Sequence, residues 1–229
     1  MSRTAGLAAG FKLGRLRGSF LEDLVLAVVL AVVAAAVGMA VRRTSPLGAV
    51  DAVLALGFAY ALPAVSLGAL LRTQRFATVS EGAWPLARFG ASRRAVSLGL
   101  WFAAYLRVVR LLAPAMIVGV ALGAVDRSAA LREAAIAGGL VMLGAGAYVA
   151  AGAMGATFLR RGRGRYLVFV LDFLLGAGTQ AFAFPFPRSH LSSLLGGPAV
   201  FGLTQRSSSV VLASGIAIAL AVALWRIDD

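Results

Sequence analysis

No cysteine occurs in this 229-residue chain, which excludes disulfides, thiol nucleophiles and thiolate-bound metals. Histidine occurs once, as His190, and one imidazole with scattered carboxylates does not make a metal site. Nor does it make an intramembrane serine–histidine pair: Ser66 and Ser214 are the only serines deep in apolar segments, and neither has a second histidine to serve it. Lysine also occurs once, as Lys12. It follows Phe11 where a G-x-x-x-x-G-K-[ST] phosphate loop needs glycine, so no nucleotide site is expected in this chain. Enzymatic activity is therefore not expected here. Acidic side chains are scarce too, nine against 22 Lys and Arg, for a net charge of +13. On a soluble domain that excess would point to nucleic acid. Here the arginines gather between apolar runs and read as topology signals, with no nucleic-acid partner.

What is present is apolar surface. Hydrophobic residues make up 60% of the chain, and the mean hydropathy is +0.89. Runs of about 20 apolar residues recur, the length that crosses a hydrocarbon core of roughly 30 Å as a helix. The runs are continuous and lack period-two alternation, which excludes a barrel. The expected fold is an all-α integral membrane protein, residues 1–229 forming a single transmembrane domain with six transmembrane helices. The spans are Phe20–Val41, Ala49–Leu71, Leu98–Val125, Ala134–Phe158, Tyr166–Phe184 and Val210–Trp225. The first run is too long for a signal-peptide core and lacks an A-x-A site, so it reads as a retained span.

Arginine and lysine are unequally shared between the two sides. Fourteen lie with the N-terminal segment 1–19, the segment 72–97, the run Arg160–Arg165 and Arg226. Six lie at Arg42, Arg43, Arg127, Arg132, Arg188 and Arg206. The positive-inside rule places the richer side, and both termini, in the cytoplasm. Gly6, Gly10, Gly14 and Gly18 recur at every fourth position. They fit either a helix with a smooth face against another helix or a weak, flexible lead-in, since each Gly costs a helix about 1 kcal/mol.

Two loops stand out. In TVSEGAWPLARFGASRRAVSLG (Thr78–Gly99), Pro85 fits the first position of a short helix, Gly90 its stop, and Ser92 the N-cap of the third span. The short helix carries Trp84, Leu86 and Phe89, large apolar groups that must meet the membrane interface or a partner's groove. In Phe184–Arg206, Pro185, Pro187 and Gly196-Gly197-Pro198 break an apolar segment, which predicts a partly re-entrant element (185–207) on the outer side. Asp172, Arg107, Arg110 and Gln180 are the candidate intramembrane polar residues. Asp172 reads as a substrate or proton contact, or as the partner of Arg107 or Arg110 in a structural ion pair. The two arginines, spaced i, i+3, alternatively snorkel to the inner interface. Pro114 is expected to bend their helix.

The pieces Glu81-Gly82, Trp84-Pro85-Leu86, Ser92-Arg93-Arg94 and Gly99 resemble the cytoplasmic segment of ABC-2-type permeases of ABC transporters. So do the six-span count, the two cytoplasmic termini and the broken element before the last span. Family members often carry Pro before the Ser, whereas Gly90-Ala91 stands here, so the resemblance does not fix the register of the short helix. The resemblance implies a permease subunit of an ATP-driven exporter in a bacterial cytoplasmic (inner) membrane. Glu81, Gly82, Trp84, Leu86, Arg88 and Phe89 would form the ATPase-coupling segment. ATP and Mg would be bound only in separate cytoplasmic ATPase subunits, and a second permease copy or paralogue would complete a dimer. The cargo would be lipophilic or amphipathic and would move by alternating access. Two alternatives come from other classes: a membrane scaffold or assembly factor that docks a cytoplasmic partner, and a proton-coupled transporter with Asp172 as its coupling carboxylate.

Overall fold

The computed structural model describes residues 3–17, 20–74 and 78–227; Gly18 and Arg75 lie outside the described residues. Every regular element among them is helical. In chain order these are α1 (Arg3–Leu16), α2 (Phe20–Thr44), α3 (Ala49–Leu56), α4 (Leu62–Gln74), α5 (Val79–Ala87), α6 (Arg93–Gly123), α7 (Arg127–Gly155), α8 (Gly164–Leu175), α9 (Pro187–Leu194) and α10 (Gln205–Trp225). A π-helical turn, Gly57–Ala61, joins α3 to α4. Among the described residues, five segments are long and apolar enough to cross a membrane: α2, the stretch containing α3 and α4, α6, α7 and α10. The chain thus has the architecture of a multi-pass, all-α membrane protein.

The expected fifth span does not run to Phe184 as one helix. Its helix, α8, stops at Leu175, and twelve residues reach only about 18 Å at 1.5 Å per residue. The helix ends on a glycine that packs closely. Gly176 donates its N–H to the Asp172 carbonyl at 2.8 Å, and a β-carbon there would lie 3.0 Å from the Asp172 carboxylate and 3.1 Å from Arg188. Gly178 and Pro185 follow, so the apolar sequence continues while the helix does not. Pro187 then opens α9, whose Leu191 is buried against Leu62 and Gly144, in the α3–α4 and α7 helices.

Helix α6 is the central post, with α1, α2, α4, α5 and α7 all packed on it. Between helices in lipid there is little hydrophobic driving force, so close van der Waals contact must do the joining, and small residues permit it. Gly119 of α6 meets Ala34 of α2 and Val53 of α3. Gly152 of α7 leaves room for Leu70 and Phe169, and Gly144 for Leu62 and Leu191. Gly138 and Gly139, by contrast, have almost nothing around them. Larger groups fill the interior behind these contacts, among them Phe58, Leu112, Val120, Val141 and Tyr148. Helix α6 continues through Pro114 as a single element.

The N-terminal glycines fit the smooth-face reading. A β-carbon at Gly10 would overlap the Val96 carbonyl oxygen, and one at Gly14 would lie 2.6 Å from Ala103. From the other side, a β-carbon at Gly99 would overlap the Leu7 carbonyl. Helix α1 therefore lies in near-backbone contact with the first half of α6.

Candidate functional site

Helix α5 begins six residues before Pro85. Thr78 is its N-cap. The Thr78 hydroxyl accepts from the Glu81 N–H at 3.2 Å, and the Glu81 carboxylate accepts from the Thr78 N–H at 2.8 Å and its hydroxyl at 2.9 Å. This reciprocal capping box satisfies two otherwise orphaned donors. Pro85, expected at the helix start, therefore sits inside the helix near its end, where it removes one intrahelical bond. The exit follows the expected layout: Gly90 takes φ +83, and the Ser92 hydroxyl caps α6 by accepting from the Ala95 N–H at 3.5 Å. The hydrogen bonds from Thr78 hold the Glu81 carboxyl below the ordinary carboxylate range.

One face of α5 is spent on the fold. Ala83 is fully buried with Ala91, Val96 and Leu100, and Leu86 packs onto the same cluster. Gly82 is buried against Gln74 of α4. The Ser97 hydroxyl donates to the Val79 carbonyl at 3.4 Å. Arg17, just past α1, donates to the Thr73 carbonyl of α4 and, at 3.2 Å, to the Gly82 carbonyl of α5. Side chains turned away from that cluster are exposed. Trp84 is 53% exposed and Phe89 69% exposed, and each ring carries a guanidinium: Arg93 5.1 Å from the Trp84 centroid, Arg88 4.8 Å from that of Phe89.

The six residues assigned to coupling thus divide. Trp84 in α5, and Arg88 and Phe89 in the turn just past it, are exposed. Gly82 and Leu86 point into the bundle, and the Glu81 carboxylate is occupied by capping.

The intramembrane polar residues are also rearranged. Asp172 makes no ion pair with Arg107 or Arg110. It is buried and accepts from the Tyr148 hydroxyl at 2.8 Å and the Arg188 backbone N–H at 3.1 Å. Tyr148 in turn stacks on Phe169, with centroids 5.7 Å apart. Arg107 and Arg110 do not simply snorkel outward. Both donate to Asp23 in the first turn of α2, Arg107 from a buried position and Arg110 half-exposed. Beside them Arg72 pairs with Glu22. Gln180 lies in the exposed turn after α8, where its carbonyl accepts from the Ala183 N–H at 2.9 Å. Among the described residues it forms no hydrogen bond to Asp172.

His190 and Ser189 serve the turn into α9. The Ser189 hydroxyl lies within donating distance of the carbonyls of Ala183, at 2.9 Å, and Phe186, at 2.8 Å, which share its one proton. The His190 Nε2 lies 2.8 Å from the Phe184 carbonyl, which assigns its proton to that nitrogen.

Sequence reasoning missed Thr78, Asp23 and Tyr148. Thr78 had a signal, the T-x-x-E spacing of a capping box ahead of an apolar stretch. Asp23 and Tyr148 had none, since each partner lies far along the chain.

No family model, no curated protein and no solved structure matches this chain.

Proposed function

We propose that this chain is the transmembrane permease subunit of an ATP-driven exporter of the ABC-2 type. It works with a second permease copy or paralogue and with separate cytoplasmic ATPase subunits that hold ATP and Mg. The observation that carries this reading is the two-sidedness of α5. A nine-residue helix fixed to α1, α4 and α6 by its inner face leaves Trp84 exposed, and the turn that closes it leaves Arg88 and Phe89 exposed. Exposed aromatics with flanking arginines, on a rigid element, are the composition of an interface hot spot. The arginine distribution supports a cytoplasmic address for that face, in a bacterial inner membrane with both termini inside.

In this reading α8 is the short fifth crossing and α10 the sixth. Helix α9 is a re-entrant element on the outer side, packed at the depth of Leu62 and Gly144. Closure of the ATPase dimer pushes on α5. The bundle rocks, and a lipophilic or amphipathic cargo passes along the permease interface by alternating access.

The test is co-purification from native membranes in mild detergent. A nucleotide-binding protein should accompany the chain. Trp84→Ala with Phe89→Ala should lower its recovery and its ATP turnover in the complex, while the permease itself remains folded. A variant that keeps the same complex and turnover overturns the coupling role. A stable partner that binds no nucleotide favours the scaffold reading instead.

A further inference from the structure

A pocket of about 420 Å³ opens between α1, α2, α4 and α6, and the coupling surface does not use it. Its polar lining is Arg15, Asp23, Arg107 and Arg110, together with Thr73. Three guanidiniums therefore face one carboxylate. Asp23 takes one N–H from Arg107 and one from Arg110, so the pocket keeps an excess of positive charge and of guanidinium donors. The Arg110 side chain is 54% exposed, and Arg15 stands exposed with its guanidinium 5.8 Å from the Phe11 centroid.

The pocket has a definite depth. Asp23 lies in the first turn of α2, just after Arg15 and Arg17 in the chain, and Thr73 in the last turn of α4 beside Arg72. That is the level at which a span leaves the hydrocarbon and meets headgroups. The apolar lining continues the logic. Phe20 and Leu106 flank the arginines, and Leu24, Val25 and Val28 extend an exposed apolar track up α2. A basic pocket at headgroup level that opens onto an apolar track matches a molecule with an anionic head and an acyl tail.

We propose that this pocket binds the phosphate headgroup of an anionic phospholipid of the cytoplasmic leaflet. Arg110 and Arg15 grip the phosphate, and the acyl chain lies along Phe20 and α2. Guanidinium–phosphate bonds are charge-assisted and frequently bidentate, which suits the donors left over by Asp23. The cytoplasmic leaflet supplies the anionic lipid. The inference rests on the multi-pass membrane architecture and on the cytoplasmic placing of the arginine-rich side, and stands whether or not the chain is a permease.

The experiment uses the full chain, purified in mild detergent, stripped of loosely held lipid and examined by native mass spectrometry. Phosphatidylglycerol should be retained in preference to phosphatidylcholine. Arg110→Gln and Arg15→Gln should each weaken retention about fivefold, the worth of one cationic side chain at an anionic surface. Arg43→Gln, exposed at the opposite end of α2, should leave retention unchanged. Thermal unfolding of the lipid-free variants separates lost binding from lost folding, because both leave the Asp23–Arg107 pair in place. Equal retention of the two lipids, or wild-type retention by both variants, overturns the proposal. Displacement of phosphatidylglycerol by inorganic phosphate as effectively as by soluble glycerophospholipid assigns the pocket to free anion and also overturns it.

Discussion

Asp23 and Arg107 form a buried ion pair that ties the first turn of α2 to the middle of α6, with Arg110 sharing the same carboxylate. Removing one side of a buried pair leaves the other charge uncompensated, which costs about 3–5 kcal/mol. Asp23→Ala should therefore lower the thermal unfolding midpoint in detergent sharply. Replacing both partners, Asp23→Leu with Arg107→Met, should recover much of the loss. An Asp23→Ala protein as stable as the parent would contradict the pairing.

The contact between α1 and α6 predicts a graded response to added methyl groups. Gly10→Ala and Gly99→Ala each insert a β-carbon into backbone of the neighbouring helix and should loosen α1. Faster tryptic cleavage at Lys12 and Arg15 would report it. Gly68→Ala and Gly139→Ala meet nothing within 4 Å and should stay within about 0.5 kcal/mol of the parent.

Glu81 gives α5 a pH dependence. Its carboxyl is held below the ordinary carboxylate range by the Thr78 N–H and hydroxyl. A depressed folded-state value means the cap stabilises fully above the ordinary range and is lost as pH falls through the lower, folded value. Amide exchange in α5 should therefore speed up, relative to the rest of the chain, only on acidification below the ordinary range. Thr78→Ala should produce the same local loosening at neutral pH, at a cost of about 1 kcal/mol. Exchange in α5 that is insensitive to both changes would rule the capping box out as its anchor.

Asp172 separates structure from proton coupling. Asp172→Leu strands the Tyr148 hydroxyl and the Arg188 N–H, and each unmet buried donor costs about 1–3 kcal/mol. Asp172→Asn keeps one acceptor oxygen for the Arg188 N–H, and the Tyr148 hydroxyl can turn to accept from the amide NH2, so most of the stability should be retained. Transport that survives Asp172→Asn fits a structural carboxylate. Loss of transport in a fully stable Asp172→Asn protein would instead make it a coupling group.

The parts readable in the sequence were those written locally. Apolar run length marked α2, α6, α7 and α10, and the Gly90 stop and Ser92 cap needed only their neighbours. The end of α8 was harder, because hydropathy continues past Leu175 and only the glycine pair Gly176 and Gly178 interrupts it. The partners of the buried charges were out of reach. Asp23 meets Arg107 across 84 positions and Tyr148 meets Asp172 across 24, and which pairs form depends on how the helices cross. On the proposed coupling surface, composition singled out Trp84 and Phe89. Only packing separates them from Leu86, which is equally apolar and points the other way.

Arg17 gives α5 a mechanical character. By bonding carbonyls at the end of α4 and in α5 while it follows directly on α1, it joins three elements at one point. With Ser97 holding Val79 and the glycine contacts holding α1 to α6, the outward face of α5 rides on a stiff plate. A load applied at Trp84 would therefore reach α4 and α6 together, through bonded contacts that a free loop lacks.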